Sequence, residues 1–175
     1  MNNSPKKGIK IVLAMHGSPP KDFPMDEMAF FYGIHLRLEH NPQSVDNETK
    51  KRALAIEEKM KNWPRTYEND PYFTSSIEIG KNVEEITGYE TLVGFNEFCN
   101  PAVKDVLLKA LETNPNTIFV TTPMITPGGE HSEIDIPETI TAISKDYPNT
   151  KIIYAWPFDL VDVANFLSNQ IRKHS

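Results

Sequence analysis

Three residues, His16, Glu97 and His131, have the types and positions to hold one divalent metal ion. His16 follows the apolar run Ile9-Lys-Ile-Val-Leu-Ala14 and precedes the turn Gly17-Ser-Pro-Pro20. His131 lies in Thr121-Thr-Pro-Met-Ile-Thr-Pro-Gly-Gly-Glu-His131-Ser-Glu-Ile-Asp-Ile-Pro137, just beyond Thr117-Ile-Phe-Val120, and Glu97 lies just past the apolar stretch ending at Phe95. Imidazole binds Fe, Co, Ni and Zn well, and a carboxylate compensates their charge. With Cys99 as its one cysteine, the chain can form neither an internal disulfide nor a Cys-rich zinc site, so a metal must rely on nitrogen and oxygen. Gly128 and Gly129 let the backbone before His131 bend sharply and approach a ligand closely. Glu130, Glu133 and Asp135 flank that histidine. His35 and His40, five apart on a helical segment, do not share a face and are expected at the surface or partly buried, and His174 sits in the tail.

Such residues need a scaffold that gathers them. Ile9 to Ala14, nearly all apolar and rich in β-branched residues, fits a strand buried on both faces. Met25, Met28, Ala29, Tyr32 and Leu36 recur at helical spacing to about Glu39, with Asp26 and Glu27 in the first turn, where the helix dipole favours negative charge. A second helix is expected from about Asp46 to Lys61, with Ala53, Ile56 and Met60 on one face. Asn62 to Phe73 reads as an irregular loop whose Trp63, Tyr67, Tyr72 and Phe73 suit minor core anchors better than a ligand wall. A third helix follows from about Thr74 to Thr87, with Gly88 as its stop.

Simpler units complete the chain. Glu90 to Phe95 is a strand, after which Asn100 is expected to cap a helix opening at Pro101 and running through Val103, Val106, Leu107 and Ala110 to Leu111. Residues 117 to 122 form a strand and Pro137 opens a helix ending near Tyr147. Lys151 to Trp156 form the last strand, before a helix from about Asp159 to Arg172. Strands alternating with helices imply an α/β fold with a mostly parallel four-stranded sheet, helices on both faces and right-handed crossovers. In such sheets ligands bind beyond the carboxyl ends of the strands, where His16, Glu97 and His131 all fall.

Composition narrows the partners. At 175 residues and 39% hydrophobic, the chain buries one substantial core and reads as a single domain. A formal net charge of -6 argues against a general nucleic-acid or membrane-surface role. Lys6, Lys7 and Lys10 precede an apolar run only about half as long as a signal-peptide core, and no span approaches the ~20 apolar residues of a membrane helix, so a cytoplasmic location is expected.

Three blocks of the sequence carry a family likeness: the strand with His16-Gly17-Ser18, then Gly94-Phe95-Asn96-Glu97-Phe98-Cys99-Asn100-Pro101, and, most specific, Pro123 through Pro137 with its Gly, His and Asp-Ile-Pro elements. There the chain resembles the small class II tetrapyrrole chelatases, the sirohydrochlorin cobaltochelatase and ferrochelatase family often called CbiX-like. The likeness covers residues 9 to 18 and about 90 to 172, leaving an insertion at about 40–88. It implies a three-layer chelatase-like domain. It also implies that His16 and His131 bind the incoming metal, Co2+, Fe2+ or Ni2+, with Glu97 assisting as base and no organic cofactor. Ser18, Gly128 and Gly129 would contact the tetrapyrrole. Its carboxylate arms would need a local positive field from helix N-termini, Lys21 or Arg37. Longer chelatases carry the unit twice, so the resemblance implies a homodimer.

The residue types suit that chemistry. Metal insertion expels two pyrrole N–H protons, so a base must stand beside a metal that is later released, and a histidine with a pKa near ~6.5 serves both needs. Two nitrogens and a carboxylate leave coordination positions open for the macrocycle. A non-catalytic binder of metal or tetrapyrrole is the competing expectation. A hydrolase using His16 and Ser18 is a distant third, because the Gly-x-Ser-x-Gly elbow is missing.

Overall fold

The structure, a computed structural model, describes residues 8–175; Lys6 and Lys7 lie outside the described residues. Strands β1 (Ile9–Met15), β2 (Glu90–Phe95), β3 (Thr117–Thr121) and β4 (Lys151–Tyr154) form one sheet in the order β2-β1-β3-β4. Every pairing is parallel, with Met15 beside Phe95 and Leu13 beside Thr121, so the carboxyl ends of β1, β2 and β3 lie together. The expected α/β architecture is therefore present, with a sheet that is wholly parallel.

Alternation along the strands sends neighbouring side chains to opposite faces. Val12, Ala14, Ile118 and Val120 pack on one face against Val103, Leu107 and Ala110 of α4 (Val103–Leu111) and Ile136 and Ile143 of α5 (Ile136–Ser144). On the other, Leu13, Met15 and Phe95 meet Phe31 of α1 (Met25–His40), Ile56 and Met60 of α2 (Asn47–Lys61), and Tyr72, Phe73 and Ile77 of α3 (Pro71–Thr87). The last helix, α6 (Leu160–Arg172), buries none of its residues. No helix among the described residues is long and apolar enough to cross a membrane.

Local chemistry sets the helix ends, and in places it differs from the sequence expectation. Asp46 and Asp159 cap α2 and α6 through their carboxylates, and Gly88 in the left-handed region ends α3. Helix α3 starts at Pro71 rather than Thr74, because the Asp70 carboxylate accepts the Phe73 N–H and Pro71 takes the first helical position. Asn100 does not cap α4. The Asn100–Pro101 peptide is cis, the Asn100 amide donates to Asn62 Oδ1, and the helix begins two residues later, after Ala102. Strand β4 stops at Tyr154 instead of Trp156, and α5 ends at Ser144 instead of near Tyr147. A π-helical turn, His131–Asp135, leads directly into α5, so His131 stands on a wound turn and not on an open loop.

Candidate metal centre

The loop after β1 and the loop after β2 are stitched to each other backbone to backbone. Asn96 N–H and its side-chain amide both donate to Met15 O, at 2.9 and 2.8 Å, and Glu97 N–H donates to His16 O at 2.9 Å. Gly17 makes this approach possible. Its φ is +108°, and a Cβ there would lie 1.9 Å from Glu97 O, inside any contact distance. Tyr72 of α3 accepts the His16 N–H at 3.1 Å, tying the same loop to the helical layer.

Behind the two loops lies a buried ion pair. Arg65 donates to Asp70 Oδ2 at 2.6 Å, to Ser18 O and Met60 O at 2.7 Å each, and to Phe98 O. One guanidinium thus holds the segment after His16, the segment after Glu97 and the start of α3 in a single frame. Its Nε is buried without a hydrogen-bond partner.

His131 reaches the same place from the far side of β1. Its turn is held by Tyr154 of β4, whose hydroxyl donates to Ser132 O at 2.9 Å, and by Ser132 Oγ, which donates to Gly129 O at 3.0 Å. The His131 Nδ1–H donates to Asp135 Oδ2 at 2.5 Å, which leaves Nε2 aimed at Glu97 Oε1, 3.6 Å away. His16 Nδ1–H donates to Gly17 O at 3.1 Å, so its Nε2 likewise carries the ring's ligating lone pair. A carboxylate or carbonyl on the remote ring nitrogen fixes tautomer and orientation in metal-binding histidines. The two rings meet edge to face with centroids 4.7 Å apart. Ligand atoms of His16, Glu97 and His131 all lie within 4.8 Å of one another, the one such grouping among the described residues.

Electrostatics couple the set. The facing His131 ring is the main cause holding the Glu97 carboxyl below its ordinary pKa, against the opposing effect of burial, with the other nearby imidazoles adding to it. Glu97 in turn is the main cause raising His131 from 6.5 to about 9, burial opposing and Asp135 assisting. The metal-free centre at neutral pH is thus an imidazolium between two carboxylates. The chemistry of this donor set fits a borderline divalent cation, which would replace that proton.

The other sequence candidates fall as follows. Gly129 lines a cleft of about 530 Å³ with His16, Pro123, Met124, Ile125 and His131. Gly128, at φ +100°, donates its N–H to Glu133 Oε1 at 2.7 Å. Ser18 Oγ stays within its own loop, 3.4 Å from Pro19 O. Arg37 bonds Ser44 O, and Lys21 borders a different cleft beside Asp22 and Glu68. Trp63 packs on Phe23, and Phe73 stacks on Phe95, both as core anchors.

Sequence reasoning missed two residues here. Asp135 was noted only as a neighbour, although its spacing of four from His131 on a helical turn is the signal that pairs them. His35 is the larger correction. It is partly buried as expected, yet it stands beside the centre: its Nε2 lies 3.7 Å from Glu97 Oε1 and its ring stacks on Phe31 at 4.8 Å. Helical phase locates a face but says nothing of which residue that face meets.

Comparisons with known proteins agree with this architecture. The family model described as CbiX matches residues 70–173, a span that takes in α3 and Glu97 and leaves out α1 and α2. A sirohydrochlorin cobaltochelatase from Methanopyrus kandleri is 38% identical over 72 residues, 40% of this chain and 50% of that one. The chain thus spans about half the length of the curated relative it matches. A putative cobalamin biosynthesis CbiX protein from Marinobacter aquaeolei superposes with a TM-score of 0.51 at 11% identity, covering 94% of this chain and 98% of that one. The sirohydrochlorin chelatase SirB from Bacillus subtilis, in complex with cobalt, gives 0.43 at 18% identity, over 87% of this chain and 44% of that one. With more than half of its residues matched by the family model, the chain belongs to the CbiX family.

Proposed function

We propose that the protein is a metal chelatase that inserts a divalent ion, Co2+, Fe2+ or Ni2+, into sirohydrochlorin or a related tetrapyrrole. The observation that carries this reading is the gathering of His16, Glu97 and His131 donor atoms within 4.8 Å, with His16 and His131 lining an adjoining cleft. Family membership and the cobaltochelatase relative support the choice of substrate. His16 and His131 ligate the ion and Glu97 offsets its charge. Three donors leave coordination positions for pyrrole nitrogens, as transfer requires. Because the proton affinity of the centre sits on His131, that ring loses a proton when the metal arrives. It regains one of the two pyrrole protons when the metal leaves, and the other passes by way of Glu97 as base to solvent water. Met124 and Ile125 supply an apolar wall for the macrocycle and Gly129 brings backbone close to it, while Gly128 and Ser18 contact the macrocycle's edge from outside that lining.

The protein acts as one domain, with the segment at about 40–88 as an addition to the family's smallest form, and pairs as a homodimer. Supporting the pairing, α6 exposes Leu160, Val161, Phe166, Leu167 and Ile171, an apolar set uncovered within the chain. The deciding experiment incubates the pure protein with sirohydrochlorin and each metal and follows the absorption change. The chelatase reading requires a rate above the spontaneous one for at least one metal, and no acceleration with any of them would leave a metal or tetrapyrrole binder instead.

A further inference from the structure

Glu97 faces three imidazoles, and only two have been given work. His16 Nδ1 lies 4.0 Å from Oε2, while His131 Nε2 and His35 Nε2 lie 3.6 and 3.7 Å from Oε1. The His35 ring is held for its position: it lies nearly parallel to Phe31, a residue 2% exposed, which itself touches Phe98 beside Glu97. Helix α1 is in turn fixed to α2, with Lys59 on Glu27 at 2.7 Å and the Arg52 guanidinium over the Phe30 ring at 3.9 Å. The His35 side chain is 23% exposed, so it is reachable from solvent without being free to wander.

We propose that His35 is a third nitrogen ligand of the incoming metal, making the loaded centre three imidazoles and one carboxylate. This rests on the chelatase site described above and extends it to a residue from the part of the chain outside the family match. His35 Nε2 stands 3.7 Å from the same Glu97 oxygen that His131 Nε2 approaches at 3.6 Å, so one carboxylate oxygen brings both imidazole nitrogens beside one point. With metal–ligand bonds of ~2.1 Å, donors at adjacent octahedral corners stand about 3 Å apart and those at opposite corners about 4.2 Å. His35 stands outside the group whose donor atoms lie within 4.8 Å of one another, so an opposite corner, with Glu97 between, is the place it would fill once the ion draws the donors in. Four donors on a six-coordinate ion keep two corners for water, and then for the first pyrrole nitrogens. The same set closed around a four-coordinate ion would leave none, so transfer through this centre calls for an ion that accepts six ligands, as Co2+, Fe2+ and Ni2+ do. Ligation here is exchange of imidazole for water, with no change of oxidation state.

The test uses Co2+ alone with the full chain and counts ligated histidines by proton NMR. Each imidazole bound to high-spin Co2+ carries one exchangeable N–H whose signal is shifted far outside the protein envelope and vanishes in D2O. The proposal expects three such signals in the wild type, two in His35→Gln, and Co2+ affinity weaker by about tenfold or more in the variant. Two signals in the wild type overturn it while leaving the His16–His131 site intact, even if the variant does not fold. An absence of all shifted signals, with Co2+ bound elsewhere or not at all, overturns both the proposal and the site it extends.

Discussion

At the scale of single residues, the His131 proton governs how the centre meets a metal. Its pKa of about 9 means that an ion arriving at pH 7 must displace a proton. Apparent Co2+ affinity should therefore rise by about tenfold per pH unit from 7 toward 9 and level off above, measured by calorimetric titration across buffers. The metal-free protein shows the opposite sign. A raised imidazole pKa stabilises the fold fully below the unfolded value of 6.5, and that contribution is lost as pH climbs through about 9. Gly17 makes a second residue-level prediction. Any side chain at φ +108° with Glu97 O at 1.9 Å forces the two loops apart. Gly17→Ala should cost about 1–3 kcal/mol from backbone strain alone and weaken Co2+ binding, read by thermal melting and titration. Of the centre's residues, His16, Glu97 and His131 were legible because each follows an apolar strand and the strand ends converge. His35 was not, since its partner Glu97 is remote in sequence and only the packing of α1 brings them together.

At the scale of elements, most of the fold followed from period and punctuation. Apolar runs gave all four strands, and Asp46, Gly88 and Asp159 marked helix ends where they do. The misread boundaries have one cause: tertiary contacts overrode local signals. Asn100-Pro101 looks like a cap and first turn, yet Asn62 takes the asparagine and Phe95 N–H takes the Pro101 carbonyl at 2.9 Å, so the helix waits for Val103. Residues 62 to 73 looked irregular because their order comes from Arg65 and Asp70, a pairing no periodicity reveals. Side chains of these two are 5% and 1% exposed. Arg65→Met should therefore destabilise the protein by about 3–5 kcal/mol, leaving a buried carboxylate uncompensated, and chemical denaturation measures it. Arg65→Met/Asp70→Leu should recover a large part of that loss, because the orphaned charge is gone.

At the scale of the whole molecule, the sheet order β2-β1-β3-β4 puts the loops after β1, β2 and β3 side by side, and the centre is their meeting point. Helix α1, which lies outside the span of the family match, brings His35 Nε2 to 3.7 Å from Glu97 at that point. Helix α6 leaves an apolar face uncovered within one chain, with Phe166 at 67% and Ile171 at 69% exposure. Phe166→Asp with Ile171→Glu should convert a dimer to a monomer in light-scattering chromatography, and an unchanged mass would reject α6 as the contact.

The central claim, that three remote side chains gather one ion at the sheet's carboxyl edge, meets its most direct test in a Co2+-soaked crystal measured at the cobalt absorption edge. The account predicts one strong anomalous peak within about 2.1 Å of His131 Nε2, with His16 and Glu97 donors also in bonding range. Cobalt bound anywhere else, with these three side chains still paired only to each other, would contradict it.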